Sequence, residues 1–356
     1  MSTRRYPAET KDELREINMQ RRQIWLIVLL GAVAFCQSVH AESWRAVAGA
    51  QSSDEGIQAL AFLPNEMWIH VGDSITWTFA ANENHSVSFL KVGQLRPTFA
   101  AGCPGGTPPN GTTPDGSTFD GTNCVNSGLI NTPGSTYTVN FSNPGNYVVV
   151  CLLHANQSGT IHVLSAAQPL PHDQEFYDRQ ARVEEHHLLD DRDGGLASKL
   201  KEDLPGDPDN WHAHSHDDMH IVAMGAGEYA PTPGGAQSVS NMRFGRESIT
   251  IHAGQTVEWA SSDVSGHSVQ FGAGEFSPLD PAAASPDVVF SHDLDGVLHA
   301  VLISTSDNLY SGKIAPASQE RTGLGQLAPG ATRFRVTFTT PGTYPYICAY
   351  HDELGM

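Results

Sequence analysis

Positive charge is scarce in this chain. Lys and Arg total 20 against 39 Asp and Glu, a formal net charge of -19 over 356 residues. A surface so acidic repels phosphate backbones and anionic lipid, which excludes nucleic-acid and membrane-surface binding. Helix-forming runs are also few, while 34 Gly and 22 Pro punctuate the chain. That balance favours β structure with long loops. The apolar stretch Ile24 to Cys36 has about 13 residues, short of the roughly 20 that a membrane-spanning helix needs.

That short stretch reads instead as an export signal. Arg21 and Arg22 precede it, and Val39-His40-Ala41 forms a small-residue cleavage site before Glu42. The expectation is a signal peptide over residues 1–41 and a periplasmic or secreted mature protein. An uncleaved leader would leave an N-terminal anchor instead. Phe35 before Cys36 fits a lipoprotein processing site poorly. Of the five cysteines, Cys36 leaves with the signal. Cys103 and Cys124 flank a Gly/Pro/Thr/Asn loop. In an oxidising compartment they are natural disulfide partners, contributing about 3 kcal/mol through loop closure; the alternative is two free thiols. Cys151 and Cys348 remain, and neither resembles half of a bridge.

An internal repeat organises the rest. Ile69-His70-Val71-Gly72-Asp73-Ser74-Ile75-Thr76-Trp77 recurs as Ile251-His252-Ala253-Gly254-Gln255-Thr256-Val257-Glu258-Trp259, and His85-Ser86-Val87-Ser88-Phe89 as His267-Ser268-Val269-Gln270-Phe271, both at an offset of 182. The stretch from Pro144-Gly145-Asn146-Tyr147 to Cys151-Leu152-Leu153-His154 recurs as Pro341-Gly342-Thr343-Tyr344 to Cys348-Ala349-Tyr350-His351, at an offset of 197. Self-similarity on this scale means one fold used twice, with a longer middle loop in the second copy. Ile75, Trp77 and Phe79 alternate with polar residues, as do Tyr137, Val139 and Phe141, and Phe334, Val336 and Phe338. Such alternation marks strands buried on one face. The fold expected is all-β: two tandem Greek-key β-sandwiches joined by a charged, partly helical linker. Residues 44–166 form the first domain, 167–217 an acidic, His-containing linker, and 218–356 the second. Within the linker, Phe176, Tyr177, Val183 and Leu188 are spaced as on a helix, and Pro205 to Pro208 end it. Its charge suits a solvated segment.

Each half places one His early and a Cys-x-x-His near its last strand. His85, Cys151 and His154 make the first set; His267, Cys348 and His351 make the second. Two imidazoles and a thiolate are the equatorial ligands of a trigonal blue-copper site, completed by a weak axial ligand. One Cys-x-x-His is weak evidence. Two in register, each with its upstream His, are strong evidence.

On these residues the chain resembles the cupredoxin family of plastocyanin, amicyanin and azurin, from about Trp44 to Met356 except for the linker. The resemblance implies up to two type 1 copper ions per chain. The loop Cys348 to Met356 resembles the plastocyanin ligand loop, Cys-x2-His-x4-Met, which implies Met356 as axial thioether. The first loop has no Met and is similar to the shorter amicyanin type, with Gln157 at the Met position. An axial Gln oxygen stabilises Cu(II) more than a thioether does, so the first centre is expected to have the lower reduction potential. The alternative is Gln157 facing solvent.

Three functions follow. The first is an exported single-electron carrier that serves redox protein partners. The second is a two-domain multicopper oxidase or nitrite-reductase-like enzyme. Such enzymes connect two metals through a His beside the ligand Cys, whereas Cys151 stands between Val150 and Leu152, and Cys348 between Ile347 and Ala349. The cluster His212, His214, His216 and His220 is a candidate for an additional metal or a plain linker tract. The third is copper storage or delivery, for which the chain offers no Met-rich or Cys-rich tract. One feature stands apart: Gly159 to Leu164 closes the first domain as a strand, and the second domain lacks a counterpart after Met356. A truncated sequence explains that, and an open sandwich would expose an edge.

Overall fold

The computed structural model describes residues 41–190, 219–246, 248–274, 282–315 and 332–356. The expected signal peptide, the Pro205–Pro208 segment and His212, His214 and His216 lie outside the described residues.

The first sandwich has two facing sheets. One runs β2 (Ile57–Leu63), β1 (Ser43–Gln51), β4 (Ser74–Phe79), β8 (Thr136–Phe141) and β6 (Ser117–Phe119). The other runs β3 (Glu66–His70), β10 (Ser158–Leu164), β9 (Gly145–Val150), β5 (Ser88–Phe89) and β7 (Val125–Asn126). The alternation read from the sequence is realised: Ile75, Trp77 and Phe79 of β4 are buried with Val139 and Phe141 of β8. They meet Ile69, Val149, Ile161 and Val163 from the opposite sheet in one core. Phe89 lies at its centre, 5.7 Å from Trp77 and 5.2 Å from both Phe119 and Phe141 between ring centroids. Cys103 and Cys124 are joined in a disulfide.

A helix follows, α1 (Gln174–Leu189), capped by the Asp173 carboxylate, which accepts from the Phe176 amide at 2.9 Å. The helix expected from the spacing is present, but one side of it is packed rather than solvated. Tyr177 is fully buried, and its hydroxyl accepts from the Trp68 amide at 2.8 Å. Ala181, Leu188 and Leu189 pack on Ala50, Ala59, Ala61 and Leu63, while Val183 is exposed.

In the second sandwich the larger sheet runs β12 (Gly235–Phe244), β11 (Met219–Thr232), β13 (Thr256–Ser262), β19 (Arg333–Phe338), β17 (Leu298–Leu302) and β16 (Val289–His292). The smaller runs β15 (Ala283–Ala284), β18 (Leu309–Tyr310), β14 (Gln270–Phe271) and β20 (Tyr346–Ile347). Arg335 on β19 reaches Glu258 of β13 at 2.7 Å and Asp293 at 2.8 Å, and also pairs with Asp295.

The two sandwiches are joined by strand pairing. Edge strand β2 lies antiparallel to β12, with Leu60 opposite Ser238 and Ile57 opposite Asn241. Each edge thereby covers the other. The continuous apolar run Ala59 to Leu63 is buried throughout, as expected of a strand enclosed on both faces.

In the first sandwich β10 lies between β3 and β9. By the repeat, the same place in the second is flanked by 248–252 and 342–347. There the structure has a groove of about 690 Å³ lined by Ile249, Ile251, Trp259, Phe271, Phe338 and Tyr346.

Candidate metal centres

Each centre forms where a loop folds back over one end of its sandwich. In the first, the His85 amide donates to Ile130 O at 3.0 Å and the Ile130 amide returns a bond at 2.8 Å, which fixes the backbone that carries the imidazole. The loop after β9 closes by a bond from the Cys151 amide to Gln157 O at 3.1 Å. The second centre repeats this. His267 exchanges two bonds with Ile314 at 2.7 Å, and the Cys348 amide donates to Met356 O at 2.9 Å. Met356 therefore closes its loop as Gln157 closes the shorter one, the 3-10 turn Asp352–Leu354 absorbing the extra residues.

In each half the candidate donor atoms lie close together, within 4.8 Å of one another. In the first centre Cys151 Sγ lies 3.7 Å from His154 Nδ1, and Gln157 Oε1 lies 2.8 Å from His85 Nδ1 and 3.3 Å from His154 Nδ1. Gln157 does not face solvent: it is fully buried, and its Nε2 donates to Ala61 O at 2.9 Å, which turns Oε1 toward the imidazoles. In the second centre Cys348 Sγ lies 3.5 Å from His351 Nδ1 and 3.8 Å from His267 Nδ1, and the two Nδ1 atoms are 3.2 Å apart. Met356 is buried in the same core cluster as Cys348. One ion with bonds of about 2.0–2.3 Å spans such separations.

The surroundings favour thiolate at both cysteines. Burial pushes the Cys151 thiol up, but His154 and then His85 outweigh it and hold it well below its usual range. Burial also raises Cys348, and His351 and His267 overcome it in the same way. Each sulfur accepts a backbone N–H at 3.4 Å, Cys151 from Ser86 and Cys348 from Ser268. The hydroxyls of those serines accept from the Leu152 and Ala349 amides at 2.8 and 2.9 Å. Both cysteines are thus held at fixed distance from the upstream histidine.

Four residues that the sequence reading passed over shape these sites. Gly49 and Gly225 sit at bulges in β1 and β11 with φ of +72° and +67°, beneath His85 and His267. Asp263 takes His267 Nε2 at 2.7 Å. Ala81 stands at the equivalent place of the first domain, and His85 Nε2 is buried without a hydrogen-bond partner. Glu83 is buried between the two centres, with Oε1 3.2 Å from His154 Nε2 and Oε2 3.4 Å from His351 Nε2. Burial pushes its carboxyl up, but His351, His154 and His85 hold it down at about 2. The repeat carried a signal for the glycines, Gly49-Ala50 recurring as Gly225-Ala226. The two acids carried none.

Three further described histidines make polar contacts away from the two clusters. His70 Nε2 meets Gln168 O at 2.7 Å, His220 meets Gln255 at 3.2 Å, and His299 lies between Asp293 and Thr337 at 2.9 and 2.8 Å.

Two β-sandwiches, each with a buried His/Cys/His group at one end, fit a tandem pair of type 1 copper sites. The profile of the copper-binding proteins of the plastocyanin/azurin family matches residues 49–164 and 234–356. The chain belongs to that family, and copper is its cofactor. Among solved structures it is similar to a purple cupredoxin from Nitrosopumilus maritimus, at 19% identity over 34% of this chain and 99% of that one, TM-score 0.22. It is also similar to oxidised plastocyanin from Dryopteris crassirhizoma, at 19% identity over 34% and 99%, TM-score 0.21. A blue copper oxidase from Nitrosomonas europaea matches at 13% identity over 84% and 86%, TM-score 0.21. No functionally curated protein matches the chain.

Proposed function

We propose that the protein is an exported single-electron carrier with two type 1 copper centres. His85, Cys151, His154 and Gln157 hold one ion, and His267, Cys348, His351 and Met356 hold the other. The observation that carries this reading is the convergence of two imidazole nitrogens and one thiolate in each half, every one buried. Copper in such a donor set cycles between Cu(I) and Cu(II). The chain's part is to keep the donors still. The Ile130 and Ile314 bridges pin the upstream histidines, the serine amides and hydroxyls pin the cysteine loops, and Gln157 is aimed by Ala61 O.

The domains are taken as 44–166 and 218–356, with 167–217 between them. Export rests on the charged and apolar pattern of residues 1–41, and the Cys103–Cys124 disulfide fits an oxidising compartment. Among the described residues no helix is long and apolar enough to cross a membrane. The partners are redox proteins.

Copper analysis with turnover assays tests the reading. Two copper ions per chain with no reduction of oxygen or nitrite fit a carrier. More than two, with turnover of either, fit an oxidase or reductase. Tight copper that does not cycle in voltammetry fits storage.

A further inference from the structure

Glu83 belongs to the first sandwich, two residues before His85, yet it touches histidines of both centres. His154 is 2% exposed, His351 3% and Glu83 3%, so the three side chains form one string sealed from water. In each imidazole Nδ1 faces the thiolate and Nε2 faces Glu83. Each ring therefore lies between a thiolate and the shared carboxylate. The repeat places Ser265 opposite Glu83 in the second domain, so the contact is not duplicated. One carboxylate serves two centres.

A lone buried carboxylate costs several kcal/mol and persists only where partners compensate it. Its partners here are two imidazole edges at ion-pair distance, His154 Nε2 at 3.2 Å and His351 Nε2 at 3.4 Å. A carboxylate lying beside both Nε2 edges favours the proton on that side of each ring, which leaves the Nδ1 lone pair for a metal. Because the two rings draw on the same anion, a change at one alters what the other receives.

We propose that Glu83 couples the two centres into one redox unit, the charge at either centre setting the reduction potential of the other through the shared carboxylate. The proposal rests on the reading of both clusters as copper centres. Its sign follows from charge. A more positive centre makes its imidazole the more positive partner and draws the shared carboxylate toward it. The opposite imidazole then loses stabilisation, and its own centre becomes harder to oxidise. The coupling is reciprocal, and couplings of this class amount to roughly 5- to 150-fold in an equilibrium constant.

The test is a spectroscopically resolved redox titration of the two-copper protein, with Cys151→Ser and Cys348→Ser chains giving each centre alone. The expected result is that each centre in the wild type is oxidised less readily once the other is oxidised, by a factor in that range. In Glu83→Gln, whose neutral amide has a single acceptor oxygen, the factor falls severalfold and the two centres respond unequally. Should that variant fail to fold, Glu83→Asp, shorter by one methylene, serves in its place with the same expected loss. Independent potentials in the wild type, or an unchanged factor in the variant, overturn the proposal while leaving the copper reading intact. Absence of a thiolate-to-copper absorption band at either cysteine overturns both.

Discussion

Gly49 lies at the bulge of β1 with a φ of +72°, directly beneath the imidazole of His85. A Cβ built there would stand 2.2 Å from His85 Nε2, 2.4 Å from its Cδ2 and 3.2 Å from Ala81 Cβ. Two costs add in Gly49→Ala. The left-handed backbone costs an L-residue about 1–2 kcal/mol, and forcing a methyl into a packed site costs about 1–3 kcal/mol. The expected destabilisation is about 2–5 kcal/mol. The ring cannot absorb the clash freely, because His85 is tied to Ile130 on both sides and abuts Gln157 at 2.8 Å. Restoring contact at 3.4 Å moves the ring edge by about 1.2 Å, which carries Nδ1 out of line with Cys151 and His154. The first centre then loses its copper affinity while the second keeps its own. Gly225→Ala reverses the pattern, since its Cβ would meet His267 Nε2 at 2.5 Å and Asp263 Oδ2 at 2.6 Å. Urea denaturation of the metal-free variants and copper titration followed at each thiolate band measure both effects. A Gly49→Ala protein with wild-type stability and two normal copper spectra refutes the reasoning.

Further outcomes are expected elsewhere. Arg335→Ala leaves the buried Glu258 carboxylate with only Arg333 beside it, at 3.5 Å; denaturation should register a loss of about 3 kcal/mol with both copper spectra unchanged. Burial pushes the Tyr177 hydroxyl up to about 12, so its docking is fully favourable below pH 10 and is lost as pH rises from 10 through 12. Roughly 2–3 kcal/mol of stability should go in that window, and Tyr177→Phe should flatten this part of the profile. Gln157→Met removes an amide oxygen from the first centre and should raise its reduction potential in a redox titration, at about 1 kcal/mol of stability for the lost bond to Ala61 O.

The strands were legible, and the candidate donor residues could be named, because both obey short rules. Period two put Ile75, Trp77 and Phe79 on one face, and the repeat put His85 and His267, with their Cys-x-x-His partners, in register. What escaped obeys no local rule. The pairing of β2 with β12 joins residues about 180 positions apart, and an unbroken run such as Ala59 to Leu63 does not say what covers it. The docking of α1 rests on Tyr177, Ala181, Leu188 and Leu189, scattered through a charged segment. Glu83 has no sequence relation to His351 and becomes visible only once two sandwiches bring their metal ends together. The bulge glycines left only a recurring Gly-Ala pair in the sequence, and the backbone's positive φ is what shows their role.

Electron paramagnetic and visible spectra of the copper-loaded protein, recorded for the wild type and with His85 or His267 replaced in turn, test the central claim most directly. Two type 1 signals in the wild type, with one removed by each substitution, are expected. A single signal, or one that survives both substitutions, would contradict the assignment of a separate copper ion to each half.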